Sequence, residues 1–410
     1  MPGYTDRFIN HEDGDRIASA LELIAIAKAG EITTFENHKA IQQIVRAGLA
    51  PKYFSIGDQL VERWNDGNSH EYDLPFDVVD FRNVKRIDGK TVPGMILQAH
   101  YCTPGVQFDG NEAFYVSDAV LPAGTYYVTM GQNWGTHVIK DKSYYFTLAN
   151  DLPVGGQLVF ERETSTTGGL PDIDYTGWRV RAYASPTELT ATETVTVQEG
   201  TQGTSLGTLI DSTKYALTGI NNLHRAAYAY NRWAQSGVRQ YLNSDAAALA
   251  WWTPQNPYDR APDQLKTMRG FMAGFESDFL SVLQPVEVVT ALNQKSDIDI
   301  GATETTYDTF FLPSLQEEYI TPQLADAEGD AWEYWRERLG GSVPQGWYAD
   351  NTNVAHIRYA VENHSAAQHV RLRSANRGTA YNPWYVSAAG HVSNTTATYA
   401  YRLAPACAIC

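Results

Sequence analysis

Residues Ala367 to Cys410 read AQHVRLRSANRGTAYNPWYVSAAGHVSNTTATYAYRLAPACAIC. The stretch has no lysine and no acidic side chain, and it alternates Asn, Tyr, His, Arg, Ser and Thr with small or apolar residues. A period of two is the pattern of strands and hairpins. Alternation turns Val370, Leu372, Val386 and Val392 toward a core and leaves His369, Arg371, Trp384 and Tyr385 to face solvent. Tyr and Trp offer large contact area at low entropic cost, and Asn, Ser and Arg offer adaptable hydrogen bonds. Any one of these residues reads more readily as part of an ordinary solvated hairpin. Taken as a cluster, they read as a surface that touches something.

Composition narrows the class of protein. The chain has 410 residues, of which 43% are hydrophobic and 19% charged, so it is globular and long enough for more than one domain at about 150 residues each. Its 25 Tyr and 10 Trp favour strands and binding surfaces. A net charge of -16 without clustered Lys or Arg argues against a nucleic-acid partner. No apolar run approaches the ~18 residues that span a bilayer, so membrane insertion is not expected. The start, MPGYTDRFINHEDGDR, lacks a basic and then apolar leader, which fits cytosolic synthesis. Three cysteines, Cys102, Cys407 and Cys410, are too few for a disulfide framework.

Along the chain, Asp15 caps a helical run through Ile17, Leu21 and Ile24 that ends at Gly30, and a second run places Ile41, Ile44, Val45 and Leu49 on one side before Pro51. So small a pair cannot bury its apolar faces alone; self-association is favoured over docking onto the same chain. Strands follow in YFSIGDQLVERW, FDVVDFRNV and TVPGMILQAHYC, with turns expected at Asp66-Gly67 and Asp88-Gly89. A second β unit opens near Asn111 and closes near Gly200, with LPAGTYYVT from Leu121 and LPVGGQLVF from Leu152 as equivalent turns into strands. Short strands separated by Gly and Pro suggest a sandwich or jelly roll. Helical spacing then returns through Tyr230, Trp233, Val238, Tyr241 and Leu242 and again in MRGFMAGFESDFLSVL, before strands in PVEVVTALNQK and DTFFLPSLQEEY.

Constellations that would carry catalysis are weak. Glu317-Glu318 and AEGDAWEYWRER read as solvated acidic faces, HEDGDR at His11 as a polar turn, and the Gly-rich pieces ETSTTGGLP and GTQGTSLG as loops without the lysine of a phosphate-binding site. Cys407-x-x-Cys410 would need further ligands from Cys102, His364 or His391 to hold zinc or copper, and packed thiols are the expected state. No catalytic residue, metal or cofactor is expected.

Four segments, YNRWAQSGVRQYLNS, FFLPSLQEEY, HVRLRSANRG and YAYRLAPACAI, resemble in this order the phage and prophage proteins whose C-terminal domain carries N-x-W-x-x-S-x-x-R-x-x-L-N, F-x-L-x-S-x-x-E, W-L-R-S-P and V-x-P-A. That domain is related to the C-type lectin fold of formylglycine-generating enzymes and phage major tropism determinants. AIQQIVRAGLAPKYFSIGDQL is also similar to members of the group, so the resemblance covers most of the chain. It departs at Val370-Arg371-Leu372-Arg373-Ser374-Ala375, where two aromatics and a proline are missing.

The resemblance implies an α+β chain with short N-terminal helices and a C-type-lectin-like mixed α/β domain interrupted by an inserted β-sandwich or jelly-roll module. Residues 1–50 would be a helical attachment or oligomerisation segment, 51–108 the first part of the lectin-like domain, 109–200 the insertion, and 201–410 the main part, with a variable ligand-binding region at about 350–402. In variable proteins of this fold the diversified positions cluster in the last strands and loops. Here these are His369, Arg371, Ala375, Asn376, Arg377, Tyr381, Asn382, Trp384, Tyr385, Asn394, Tyr399 and Tyr401. Adenine mutagenesis by a diversity-generating retroelement, which turns Asn codons into Tyr, His, Ser, Asp, Thr or Ala codons, would leave the residue mixture seen between Asn351 and Tyr401. The implied function is that of a phage receptor-binding protein at a tail-fibre tip, not an enzyme. Its partners would be a host cell-surface protein or glycan, other virion proteins through the N-terminal helices, and further copies of itself in a homotrimer. It would sit on the virion or, alternatively, on a bacterial cell surface. The alternatives are a decoration or baseplate protein of the virion and a formylglycine-generating-enzyme-like oxidase.

Overall fold

In the computed structural model of the chain, the residues described are 38–131, 141–162, 178–209, 229–297, 300–324, 326–339 and 354–410. The expected helix from Asp15 to Gly30 lies outside them. The second one forms as α1 (His38–Arg46), followed by a single turn, α2 (Ala50–Tyr53). Ile41, Ile44 and Val45 on α1 are buried in the main core. Gln42 Nε2 donates to the carbonyls of Val282 and Cys410 at 3.1 and 2.9 Å. His38 bridges Glu62 and Asp278, with 2.7 Å to each carboxylate. The favoured expectation of self-association therefore needs correcting for this helix. Burying an aliphatic side chain is worth about 1.5–3 kcal/mol, and the fold itself supplies the partner surface.

The three expected strands form a meander of β1 (Gln59–Asn65), β2 (Glu71–Lys85) and β3 (Thr91–Ala99). Both glycine turns are where the Asp-Gly pairs placed them; Gly67 and Gly89 have φ of 83° and 81°, open to glycine without steric cost. β2 is bulged between Val78 and Asp80, so that Leu74, Phe76, Val78 and Val79 are all buried. β4 (Thr103–Gln107) then leaves for a different sheet.

The inserted unit runs through β5 (Tyr115–Val116), β6 (Gly124–Met130), β7 (Ser143–Leu148), β8 (Gln157–Arg162), β9 (Trp178–Tyr183), β10 (Glu193–Thr196), β11 (Gln198–Glu199) and β12 (Thr204–Leu209). Two four-stranded sheets, β10-β9-β8-β5 and β11-β7-β6-β12, enclose one core in which Phe114, Phe146, Phe160, Trp178 and Val197 meet. The similar segments at Leu121 and Leu152 pair with each other, exchanging backbone bonds of 3.0 and 2.8 Å. β12 lies parallel to β6 and carries the unit past residue 200. Arg260 pins this unit from outside, its guanidinium 3.3 Å from the Tyr183 ring centroid and 3.0 Å from Gln157 Oε1.

Beyond residue 229 the helical expectation is met only in α3 (Gly237–Leu242), where Ser236 Oγ accepts from the Arg239 amide, and in α4 (Ser277–Val282). Trp233, Trp251 and Trp252 are buried without a continuous helix, because Pro-rich loops and short turns fold them onto the same core. β13 (Val286–Ala291) pairs with β14 (Thr303–Asp308), and β15 (Phe310–Phe311) follows. The Phe310 ring stacks on Phe275 at 5.4 Å and meets Phe271 edge-on at 5.0 Å. After α5 (Glu333–Arg338) come β16 (Arg358–Ala360), β17 (Asn363–Gln368), β18 (Val370–Ala375), β19 (Pro383–Val386), β20 (Val392–Asn394), β21 (Ala400–Leu403) and β22 (Ala406–Ile409).

The two chain segments flanking the insertion share both large sheets. β22 lies between β3 and β15 in the order β1-β2-β3-β22-β15, and β4 closes the order β20-β19-β18-β21-β4. The result is a mixed α+β architecture in which strand predominates.

Candidate ligand-binding surface on the C-terminal sheet

β18 is the central strand of the C-terminal sheet, antiparallel to β19 and parallel to β21, and its register slips between Arg371 and Ala375. All six of its residues are buried. The surface forms at its edges. His369 just before β18, Tyr385 on β19, and Tyr399 and Tyr401 at β21 gather their rings into one patch. His369 stacks on Tyr401 at 5.1 Å, Tyr385 meets Tyr401 edge-on at 4.6 Å, and Tyr399 stacks on Tyr401 at 6.0 Å. Such offset and edge contacts suit the ring quadrupoles and hold the patch rigid. Tyr399 is 55% exposed and His369 is also open to solvent, while Tyr401 is half-buried at the centre. Burial and the neighbouring Tyr385 raise the Tyr401 pKa, so its phenol stays protonated and can donate. Gly105 of β4 lies under this edge; a Cβ there would come within 2.3 Å of the Ala400 carbonyl oxygen.

Arg371 forms the floor. Its guanidinium donates to the carbonyls of Pro383 (3.1 Å), Thr395 (3.5 Å), Thr396 (3.2 Å) and Tyr399 (3.1 Å), and its Cζ lies 4.7 Å from the Tyr401 ring centroid. The planar fork thereby ties the 395–399 loop to β19. Desolvation brings its pKa down to about 9, which leaves it charged at neutral pH. Among the described residues no carboxylate pairs with it. Its charge is spread over carbonyl dipoles and tyrosine rings.

The twelve residues expected to form the surface divide into three groups. His369, Tyr385, Tyr399 and Tyr401 make the patch. Asn376, Tyr381 and Asn382 in the adjoining loop and Asn394 at the end of β20 are half-buried, and Asn382 Nδ2 donates to Asn394 Oδ1 at 3.0 Å. Arg371, Ala375, Arg377 and Trp384 are buried, which corrects their placement on a surface. Arg377 donates to the carbonyls of Leu292 and Ala302 at 2.9 and 3.1 Å, and Trp384 packs with Leu315, Leu372 and Val386. Asn231 was not singled out. It is fully buried and its Nδ2 reaches the carbonyls of Asn376, Thr379 and Asn382, shaping that loop. Its one advance signal is its place as the Asn of N-x-W in YNRWAQSGVRQYLNS, which marks a shared motif without giving the residue a role.

The acidic pair is also misplaced by the sequence reading. Glu317 forms a buried two-pronged ion pair with Arg373, whose Nη2 lies 3.0 Å from Oε1. Ser374 Oγ donates to Glu328 Oε2 at 2.6 Å, and Gln98 Nε2 to Glu318 Oε1 at 2.9 Å. Burial raises the Glu328 carboxyl and pushes Glu318 up to about 7. The thiols are equally enclosed. Burial pushes Cys102 up to about 12 and Cys407 well above the ordinary thiol value. Among the described residues no three of His, Cys, Asp and Glu gather to hold a metal.

Residues 207–410 match the model of a family described as a domain of unknown function, DUF6273. No curated protein and no solved structure matches the chain. The matched segment carries the whole ring patch together with Arg371.

Proposed function

We propose that the chain is a non-enzymatic receptor-binding protein of a phage or prophage particle, borne at a tail-fibre tip, that grips a host cell-surface protein or glycan through a C-type-lectin-like surface at the C-terminal sheet. One observation carries this reading: four aromatic rings, two of them open to solvent, are clamped into one patch on a sheet whose central strand is buried. Rigid aromatic side chains lose little entropy on binding and dominate the energetics of recognition surfaces. The burial of all three thiols weighs against an oxidase, because thiolate chemistry needs a lowered pKa and access. Several copies on one particle, as in a homotrimer, would gain avidity without new contacts.

Fluorescently labelled protein, tested on a panel of bacterial cells beside the double variant His369→Ala, Tyr399→Ala, provides the test. Selective staining of some strains by the parent, lost in a variant with an unchanged unfolding midpoint, is the expected result. Equal staining by both proteins, or none by either, would remove the C-terminal surface from consideration.

A further inference from the structure

The inserted unit has an aromatic surface of a different kind. Ser205, Tyr127, Tyr145 and Gln198 stand opposite one another across β12, β6, β7 and β11. Strand alternation puts this row on the outer face, because Tyr126, Val128, Tyr144, Phe146 and Val197 point into the core. Hydroxyl pairs flank the tyrosines on both sides: Thr125 Oγ1 lies 2.9 Å from Thr147 Oγ1, and Thr129 Oγ1 lies 2.8 Å from Ser143 Oγ. Beside Tyr145 the chain crosses at Val197 from one sheet of the sandwich to the other. There it leaves a groove of about 270 Å³ lined by Tyr145, Thr147, Thr194, Thr196 and Gln198 together with Phe146 and Val195, its surface mostly polar.

The chemistry of this face selects among ligands. Threonine hydroxyls and the glutamine amide both donate and accept, as ligand hydroxyls do. Tyrosine rings turn a partially negative face toward the C–H groups of whatever lies on them. The groove lining includes no Asp, Glu, Lys, Arg or His, and the chain as a whole, at a net charge of -16, repels polyanions. An apolar peptide would strand the hydroxyls, whereas a ring with one C–H face and a rim of hydroxyls satisfies both features. We propose that the groove and the Tyr127/Tyr145 face bind a neutral glycan chain, with sugar rings stacked on the tyrosines and hydroxyls bonded to Thr147, Thr194, Thr196 and Gln198. This site is separate from the C-terminal patch and does not depend on that patch having a ligand.

Native affinity electrophoresis of the full chain through gels containing β-glucan, mannan or galactan, with polygalacturonate as the acidic counterpart, tests the assignment. At least one neutral polysaccharide should retard the protein. Tyr145→Ala should weaken that retardation by about tenfold, Thr196→Val should weaken it less, and His369→Ala, Tyr399→Ala should leave it intact. Tyr145→Phe, which keeps the ring and the packing, should retain part of it and guards against misfolding of the alanine variant. No retardation by any neutral polysaccharide, stronger retardation by polygalacturonate, or undiminished retardation of Tyr145→Ala would overturn the proposal.

Discussion

Arg371 and Arg373 stand two residues apart on β18, both shut off from solvent, in surroundings of opposite character. Arg373 is met by Glu317 through two contacts, with the Glu328 carbonyl and Leu312 carbonyl completing its shell. Among the described residues, Arg371 is met by carbonyls and tyrosine rings. The first arrangement balances charge inside a closed core. The second holds a charge just beneath the aromatic patch that β19 and β21 carry on either side of β18. Burying an ion is costly in either case; on the same face of one strand, Arg373 is offset by pairing and Arg371 by carbonyl dipoles and rings.

This contrast predicts unequal costs of removal. Arg373→Leu leaves Glu317 buried without its ionic partner, with only the Ser314 amide still donating to it among the described residues, and should lower unfolding free energy by about 3–5 kcal/mol in urea titrations. Arg373→Lys should recover little of it, because an ammonium cannot span both carboxylate oxygens. Arg371→Met strands carbonyls but no carboxylate, so its cost should be smaller, about 2 kcal/mol. If the two substitutions cost the same, the distinction between a balanced and an unbalanced arginine fails.

A pH experiment sharpens the comparison on the carboxylate side. Gln98, Arg358, Glu317 and the His356 imidazole, whose Nε2 lies 2.9 Å from the Glu318 carbonyl, surround Glu318. Its folded pKa, up to about 7, exceeds the unfolded value, so the folded chain holds a proton that the unfolded chain has lost between roughly pH 4.3 and 7. Stability from this group is therefore complete at low pH and declines as pH rises through that window. His356, lowered to about 4, acts in the opposite direction below its ordinary value. The difference between parent and Glu318→Gln isolates the carboxyl: the parent should lose stability relative to the variant from pH 5 to pH 8. A flat difference would mean that Glu318 is ionised throughout.

The smallest effect is expected at the exposed rim. Tyr399→Ala should change stability by no more than about 0.5 kcal/mol, as for most exposed positions, while weakening cell binding. A large loss of stability would show that the ring patch is part of the core and not a surface.

Much of the strand order along the chain was legible beforehand. The Asp-Gly pairs announced both turns of the β1–β3 meander, and the runs around them became those strands. The α+β character followed from the same patterns, while the lectin-like relationship remains part of the proposal. Helical spacing misled between Tyr230 and Trp252: of the described residues only Gly237–Leu242 forms an α-helix, Trp233 sits in a short 3-10 turn, and Trp251 and Trp252 are buried from a loop. Glu317 and Glu318 misled in the other sense. A carboxylate pair reads as solvated until an arginine 56 residues away along the chain, and a glutamine 220 away, are brought against it.

From the sequence alone came the strands, the turns and the presence of a Tyr- and His-rich stretch near the C-terminus. Tertiary structure alone decided which of those residues reach solvent. A period of two separates the two faces of a strand, but it carries no information about whether the second face is covered. On β18 the face of Val370 and Leu372 packs inward as the alternation predicts, and the second face is covered by distant parts of the chain: the 395–399 loop over Arg371, and Glu317 with the Leu312 and Glu328 carbonyls over Arg373. The outward-facing half of the alternation was thereby buried, and the surface moved to residues beside β18 and on the strands that flank it, His369, Tyr385, Tyr399 and Tyr401.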